Sequence, residues 1–242
     1  VVLTHGFGDV SRYGVTGATV VQLWHGIPLK RLWLDSPETM RVAFLPRVKF
    51  VHRMISSAYR RAASRITVLS SASTLAQERL RSAFGLPEGR VAVTGEPRVD
   101  VLSRMTPEER HAHGRALIAA RIGPLPSDNP RFVLYAPTWR DGEPDPAAPS
   151  PAQWARILEV LRDHDAVLLV RSHPLGVKEY APRTEGSSNR VRNLGSGIMH
   201  DVTPALPGID VVVTDYSSLA FDVGLNETPV VYLAPDVAMY GT

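Results

Sequence analysis

The chain has 242 residues, 44% of them hydrophobic and 21% charged, with a formal net charge of +3. That composition suits a packed globular protein of one large or two small domains. The basic excess is too small to argue for nucleic acid, the absence of cysteine excludes disulfides and thiolate metal sites, and no apolar run reaches the roughly 20 residues of a spanning helix.

In chain order, strand-like runs are expected at Val1–Thr4, Thr19–Leu23, Arg65–Leu69, Arg90–Thr94, Phe132–Tyr135, Ala166–Val170, Asp210–Thr214 and Pro229–Leu233. Most are continuous aliphatic runs rather than alternating ones, the pattern of strands buried on both faces of a parallel sheet. Helical patterns fall between them at Phe50–Ser64, Ser73–Phe84, Gln153–Asp163 and Ser218–Leu225. A further helix starts at Thr106-Pro107-Glu108-Glu109, with Thr as N-cap, Pro at N1 and Glu at N3, and runs to about Arg121. Strands alternating with helices predict an α/β fold of two lobes, each built on a parallel sheet. The Pro-rich stretch 123–131 is the expected linker, with lobes at 1–122 and 132–242. The chain starts without Met at a strand and stops just after one, so it is expected to be a piece of a longer polypeptide.

In parallel α/β sheets ligands bind outside the carboxyl ends of the strands, so the polar residues that follow each strand are the candidates. After Val20–Leu23 come Trp24, His25 and Gly26, then Lys30 and Arg31. A histidine at a strand end suits proton transfer, the glycine lets backbone approach a ligand, and the two cations suit phosphates. After Ala166–Val170 come Arg171 and His173, stiffened by Pro174. Val211–Thr214 leads into Asp215-Tyr216-Ser217-Ser218 at a helix start, which reads as a cap or as a phosphate site. Two more strand ends carry polar groups: Gly95-Glu96-Pro97-Arg98 and Thr138-Trp139-Arg140.

Other signals fail. Gly6-Phe7-Gly8 lacks the later glycine of a dinucleotide fingerprint, and there is neither a P-loop nor a Gly-x-Ser-x-Gly elbow. No histidine and carboxylate cluster has metal spacing, so neither a metal nor a cofactor is expected. The basic, partly apolar segment Arg47–Arg65 reads as a solvated helix face or as a contact for an anionic membrane.

Taken in order, Trp24-His25-Gly26-x-Pro28-Leu29-Lys30, Gly95-x-Pro97-Arg98-x-Asp100, Tyr135-Ala136-Pro137-Thr138-Trp139-Arg140, Arg171-x-His173-Pro174 and Thr214-Asp215-Tyr216-Ser217-Ser218 resemble the CDP-glycerol glycerophosphotransferase family, which primes and polymerises teichoic acids. The resemblance implies a GT-B fold of two Rossmann-like lobes facing a cleft. It implies transfer of glycerol phosphate, or a similar polyol phosphate, from a CDP-activated donor to a lipid-linked or polymeric acceptor, with release of CMP. It makes His25 the general base and His173 an essential group at the phosphates. Gly26, Lys30, Arg98, Thr138, Arg140, Arg171, Asp215, Ser217 and Ser218 become substrate-binding candidates. A cytoplasmic enzyme, peripheral on the inner face of the cell membrane, is the corresponding location. Ile27 stands where the family more often has Thr, and Glu96 where it often has an aromatic residue. The rivals are a capsule polymerase moving a sugar 1-phosphate, a GT-B glycosyltransferase or epimerase acting on a nucleotide sugar, and a nucleotide-binding remnant with a docking role.

Overall fold

The computed structural model of the chain describes residues 1–5, 15–29, 31–36, 49–138, 147–171 and 189–237. Contacts divide it into two compact units, Val1–Arg98 and Val99–Thr242.

In the first unit the strands β1 (Val2–Leu3), β2 (Val21–Gln22), β3 (Val68–Ser71) and β4 (Val91–Val93) form a four-stranded sheet in that order. Every pairing is parallel, as continuous aliphatic runs predict. Helices α1 (Lys49–Ala63) and α2 (Thr74–Phe84) accompany the sheet. The start of α2 is fixed by Ser73, whose side chain accepts from Ala76 N, and its end by Gly85 in the left-handed conformation at φ 61°. Trp24, Ile66, Leu69, Leu80, Phe84 and Val91 make the core here.

The second unit holds α3 (Pro107–Ile122), β5 (Arg131–Ala136), α4 (Pro151–Asp163), β6 (Ala166–Val170), β7 (Val191–Asn193), β8 (Val211–Thr214), α5 (Leu219–Gly224) and β9 (Val230–Tyr232). Its five strands are all parallel, in the order β7-β6-β5-β8-β9. Counted from β5, that order is 3-2-1-4-5, the doubly wound arrangement in which β5 and β8 flank the point where the winding reverses. Phe132, Leu134, Val167, Leu169, Leu206 and Val212 lie at its centre.

Four features stand apart from the sequence reading. First, α3 and the Pro-rich stretch 123–131 fall within the compact unit Val99–Thr242. The cause is close packing: a Cβ on Gly114 of α3 would stand 2.5 Å from Gly208 N and 2.9 Å from Ala205 O, in the 3-10 segment Thr203–Gly208. Arg115 adds bonds from the same helix, to Pro130 O at 2.5 Å and to Asp210 Oδ2 at 3.3 Å. Arg192 donates to Pro124 O at 3.1 Å, which ties the Pro-rich stretch to β7. Second, β7 was not expected, because Val191-Arg192-Asn193 has one apolar residue and no pattern. It is held by register with Leu168–Val170. Third, α4 begins at Pro151, two residues earlier than the apolar pattern suggests, because Ser150 and Gln153 form a capping box with Pro at N1. Fourth, the 3-10 segments Trp33–Asp35, Pro97–Ser103 and Thr203–Gly208 carry no periodic signal of their own.

No helix among the described residues is long and apolar enough to cross a membrane.

Candidate active site

His25 stands just beyond β2, and its exposure is decided by the residue before it. Trp24 adopts φ 61°, a conformation costly for a bulky residue, of order 1–3 kcal/mol. Two contacts hold it there. Its N–H donates to Oε1 of the buried Gln22 at 3.0 Å, and its ring packs edge-on against Phe84 with centroids 5.3 Å apart. Gly26 follows at φ 139°, a region that favours glycine. Ser70 Oγ donates to Leu23 O at 2.9 Å and anchors the turn to β3. The buried Trp24 and Gly26 thus bracket an exposed His25.

The imidazole has a defined tautomer. Nδ1 lies 2.9 Å from the carbonyl oxygen of Thr4, at the end of β1. A carbonyl only accepts, so Nδ1 carries the hydrogen and the lone pair of the neutral ring sits on Nε2. Nε2 has no hydrogen bond among the described residues. His5 stacks on one side of the ring, with centroids 4.6 Å apart and planes inclined by 14°, and Trp24 lies at 4.0 Å. An oriented, exposed ring with its lone pair on the outer nitrogen is what general-base chemistry requires. Thr4, His5, Gln22 and Trp24 are site residues that sequence reasoning missed or left unassigned. A strand end facing β2 was the available clue for Thr4 and His5.

Arg98, also in the first unit, donates through Nη2 to Oε2 of Glu96 at 2.6 Å. Glu96 is buried and Arg98 half-buried, so the acid anchors the arginine two residues on.

The second unit gathers another group of candidates where β5 and β8 end. These strands pair directly, Ala136 opposite Thr214, and Thr214 Oγ1 donates to Ala136 O at 2.6 Å. One residue further on, Oδ1 of the buried Asp215 accepts from Thr138 N at 2.8 Å, Thr138 Oγ1 at 2.6 Å and Tyr216 N at 2.6 Å. Asp215 therefore welds the two strand ends together at the reversal point of the sheet, where doubly wound folds bind ligands. Tyr216 is held in turn by its hydroxyl, which donates to Asp236 Oδ1 at 3.1 Å.

Ser217 and Ser218 are half-buried beside this pair. Ser217 Oγ accepts from Leu219 N at 3.3 Å, a cap for the first turn, and the Ser218 side chain makes no cap bond. Helix α5 has six residues, so its dipole is a weaker attraction for phosphate than the sequence suggested.

Arg171, at the end of β6, is held by backbone carbonyls. Its guanidinium donates to Leu194 O at 2.9 Å, Met199 O at 2.8 Å and His200 O at 3.2 Å. Burial lowers its pKa, and the Asp201 charge opposes that shift. In this arrangement Arg171 secures the 194–200 segment behind the end of β6. Lys30, Arg140 and His173 lie outside the described residues.

Comparison with known proteins shows the family. Residues 2–242 match the model of the family described as CDP-Glycerol:Poly(glycerophosphate) glycerophosphotransferase. The chain is 29% identical to a teichoic acid glycerol-phosphate transferase of Staphylococcus aureus, over 92% of this chain and 54% of that protein. It is 31% identical to a teichoic acid poly(glycerol phosphate) polymerase of Staphylococcus epidermidis, over 92% of this chain and 29% of that one. A variant of the Wall Teichoic Acid Polymerase TagF soaked with CDPG superposes with a TM-score of 0.74 at 29% identity, covering 99% of this chain and 54% of that one. The chain thus spans about half the length of the first of these relatives and less of the second. With two parallel α/β units and a match along almost its whole length, the chain belongs to the CDP-Glycerol:Poly(glycerophosphate) glycerophosphotransferase family.

Proposed function

We propose that this chain carries the chemistry of an enzyme that transfers glycerol phosphate, or a similar polyol phosphate, from a CDP-activated donor to a lipid-linked or polymeric acceptor in teichoic acid or related cell-wall polymer synthesis. The observation that carries this reading is the tautomer of His25, with Nδ1–H bound to Thr4 O and an exposed Nε2 able to take a proton. In the proposed step Nε2 removes the proton of an acceptor hydroxyl. The oxygen bonds to the β-phosphorus of the donor, and the anhydride bond breaks with its electron pair on departing CMP.

The donor side falls to the second unit. Thr138, Asp215, Ser217 and Ser218 surround the reversal point of its sheet, which suits a nucleotide. Asp215 acts there as a positioning residue, and Arg171 shapes the adjoining backbone. His173, Arg140 and Lys30 supply charge to the phosphates, and Arg98, anchored by Glu96, and Gly26 complete the substrate contacts. The enzyme works in the cytoplasm against the inner face of the membrane. Exposed Phe50 and Met54 on α1, beside Arg53 and Arg60, support a peripheral contact with anionic lipid.

The test is to incubate the full-length protein with CDP-glycerol, CDP-ribitol and UDP-sugars and to identify the nucleotide product. CMP supports the reading, and UDP or no product overturns it. His25→Ala should abolish CMP release while donor binding persists. Near-normal release from that variant removes His25 as the base.

A further inference from the structure

A pocket of about 280 Å³ opens on the first unit, beside the loop that follows Gly26. Leu29, Leu32 and Ala83 form its apolar wall, and Arg31, Arg79 and Asp35 supply its charge. Neither arginine makes an ion pair among the described residues. Arg79 spends one donor on Pro28 O at 3.1 Å, which fixes it to the loop and leaves its other N–H groups available. Asp35 is engaged elsewhere, its Oδ1 accepting from Ser82 Oγ at 3.0 Å. Two guanidiniums against one carboxylate favour an anion, and exposed Leu29 in the wall favours one that carries carbon. Pro28 lies three residues beyond His25, so the chain places them at most about 11 Å apart.

From this juxtaposition we propose that the pocket is an acceptor subsite, in which Arg31 and Arg79 hold the phosphodiester next to the hydroxyl that His25 deprotonates. The proposal rests on the reading of the chain as a polyol-phosphate transferase and adds where the acceptor is gripped. A phosphodiester flanked by polyol carbons matches both the cations and the aliphatic wall, and a single-charged diester suits a site whose own net charge is small. Recognition of the last phosphodiester would let an enzyme choose a growing chain over a free polyol.

The experiment titrates the full-length protein with glycerophosphoglycerol, inorganic phosphate and CDP-glycerol, in wild type and in Arg31→Gln and Arg79→Gln variants. Each variant should weaken glycerophosphoglycerol binding by about tenfold, as loss of a charge-assisted contact does, and leave CDP-glycerol affinity unchanged. Arg31→Lys keeps the charge and should restore most of the binding. The proposal is overturned if the variants bind the diester normally, if inorganic phosphate binds as well as the diester, or if CDP-glycerol affinity falls instead, which would make the pocket a donor site. Diester binding that depends on Arg31, in a protein that releases no CMP from CDP-glycerol, sinks the transferase reading and leaves the pocket standing. An unfolding midpoint close to wild type identifies the variants as folded, and Arg31→Gln is the cleaner of the two because Arg79→Gln also removes the bond to Pro28 O.

Discussion

The imidazole of His5 lies nearly parallel to that of His25, with ring centroids 4.6 Å apart, and the carbonyl of Thr4, the residue before His5, accepts from His25 Nδ1 at 2.9 Å. Two consecutive residues after β1 therefore fix both the tautomer and the plane of the proposed base. Replacing His5 with Ala should lower kcat about three- to tenfold, the worth of an aromatic stack, with little change in donor KM. His5→Phe keeps the stack and should recover most of the rate. Steady-state kinetics of CMP release distinguish these outcomes. An equal loss in both variants would mean that stacking is not what matters.

Asp215 accepts three hydrogen bonds through one oxygen in a buried position. Asp215→Ala removes the acceptor shared by the Thr138 and Tyr216 N–H groups and should cost about 2–4 kcal/mol. Asp215→Asn keeps an acceptor oxygen and should cost less. Urea denaturation midpoints compare the two.

At Gly114 the backbone of α3 meets the backbone of Thr203–Gly208, and an added Cβ would stand 2.5 Å from Gly208 N. Backbone cannot swing aside as a flexible side chain can, so Gly114→Ala should destabilise by about 2 kcal/mol or more. A denaturation midpoint equal to wild type would refute this close packing.

Asp165 accepts from Ser127 Oγ at 2.6 Å and pairs with Arg190 at 3.0 Å, and these two partners, the hydroxyl first, hold its carboxyl below the ordinary carboxylate range. A depressed folded pKa gives stability that is present above the unfolded value and lost as pH falls through the folded one. Wild type should therefore exceed Asp165→Asn in stability at pH 7, and the gap should close in strong acid. Denaturation midpoints at the two pH values report it.

Phe50 and Met54 are 69% and 58% exposed on one side of α1, with Arg53 between them. Sedimentation of the full-length protein with vesicles containing anionic lipid should fall in a Phe50→Ser, Met54→Ser double variant. Binding that ignores both residues would assign the membrane contact elsewhere.

The strand ends were legible because a parallel sheet buries both faces of its strands, leaving continuous aliphatic runs that stop where polar residues begin. That pattern alone puts His25, Thr138, Arg171 and Asp215 at strand ends. Caps were legible for the same local reason, as Thr106 with Glu109 shows. β7 and the place of α3 were not, since both depend on partners distant in sequence: Leu168–Val170 for one, Gly208 and Asp210 for the other.

The sequence by itself determined the α/β class, the order of the motifs and the identity of the histidine beyond β2. It did so because periodicity, capping and motif spacing are properties of neighbouring residues. Only the tertiary structure decided what the polar groups do. Arg171 holds three carbonyls of a segment more than 20 residues away, and Asp215 joins two strand ends. His25 has its lone pair defined on Nε2 only because a carbonyl 21 residues away accepts from its Nδ1–H. A side chain's chemistry is set by the atoms that reach it, and those atoms come from strands that only the folded sheet brings side by side.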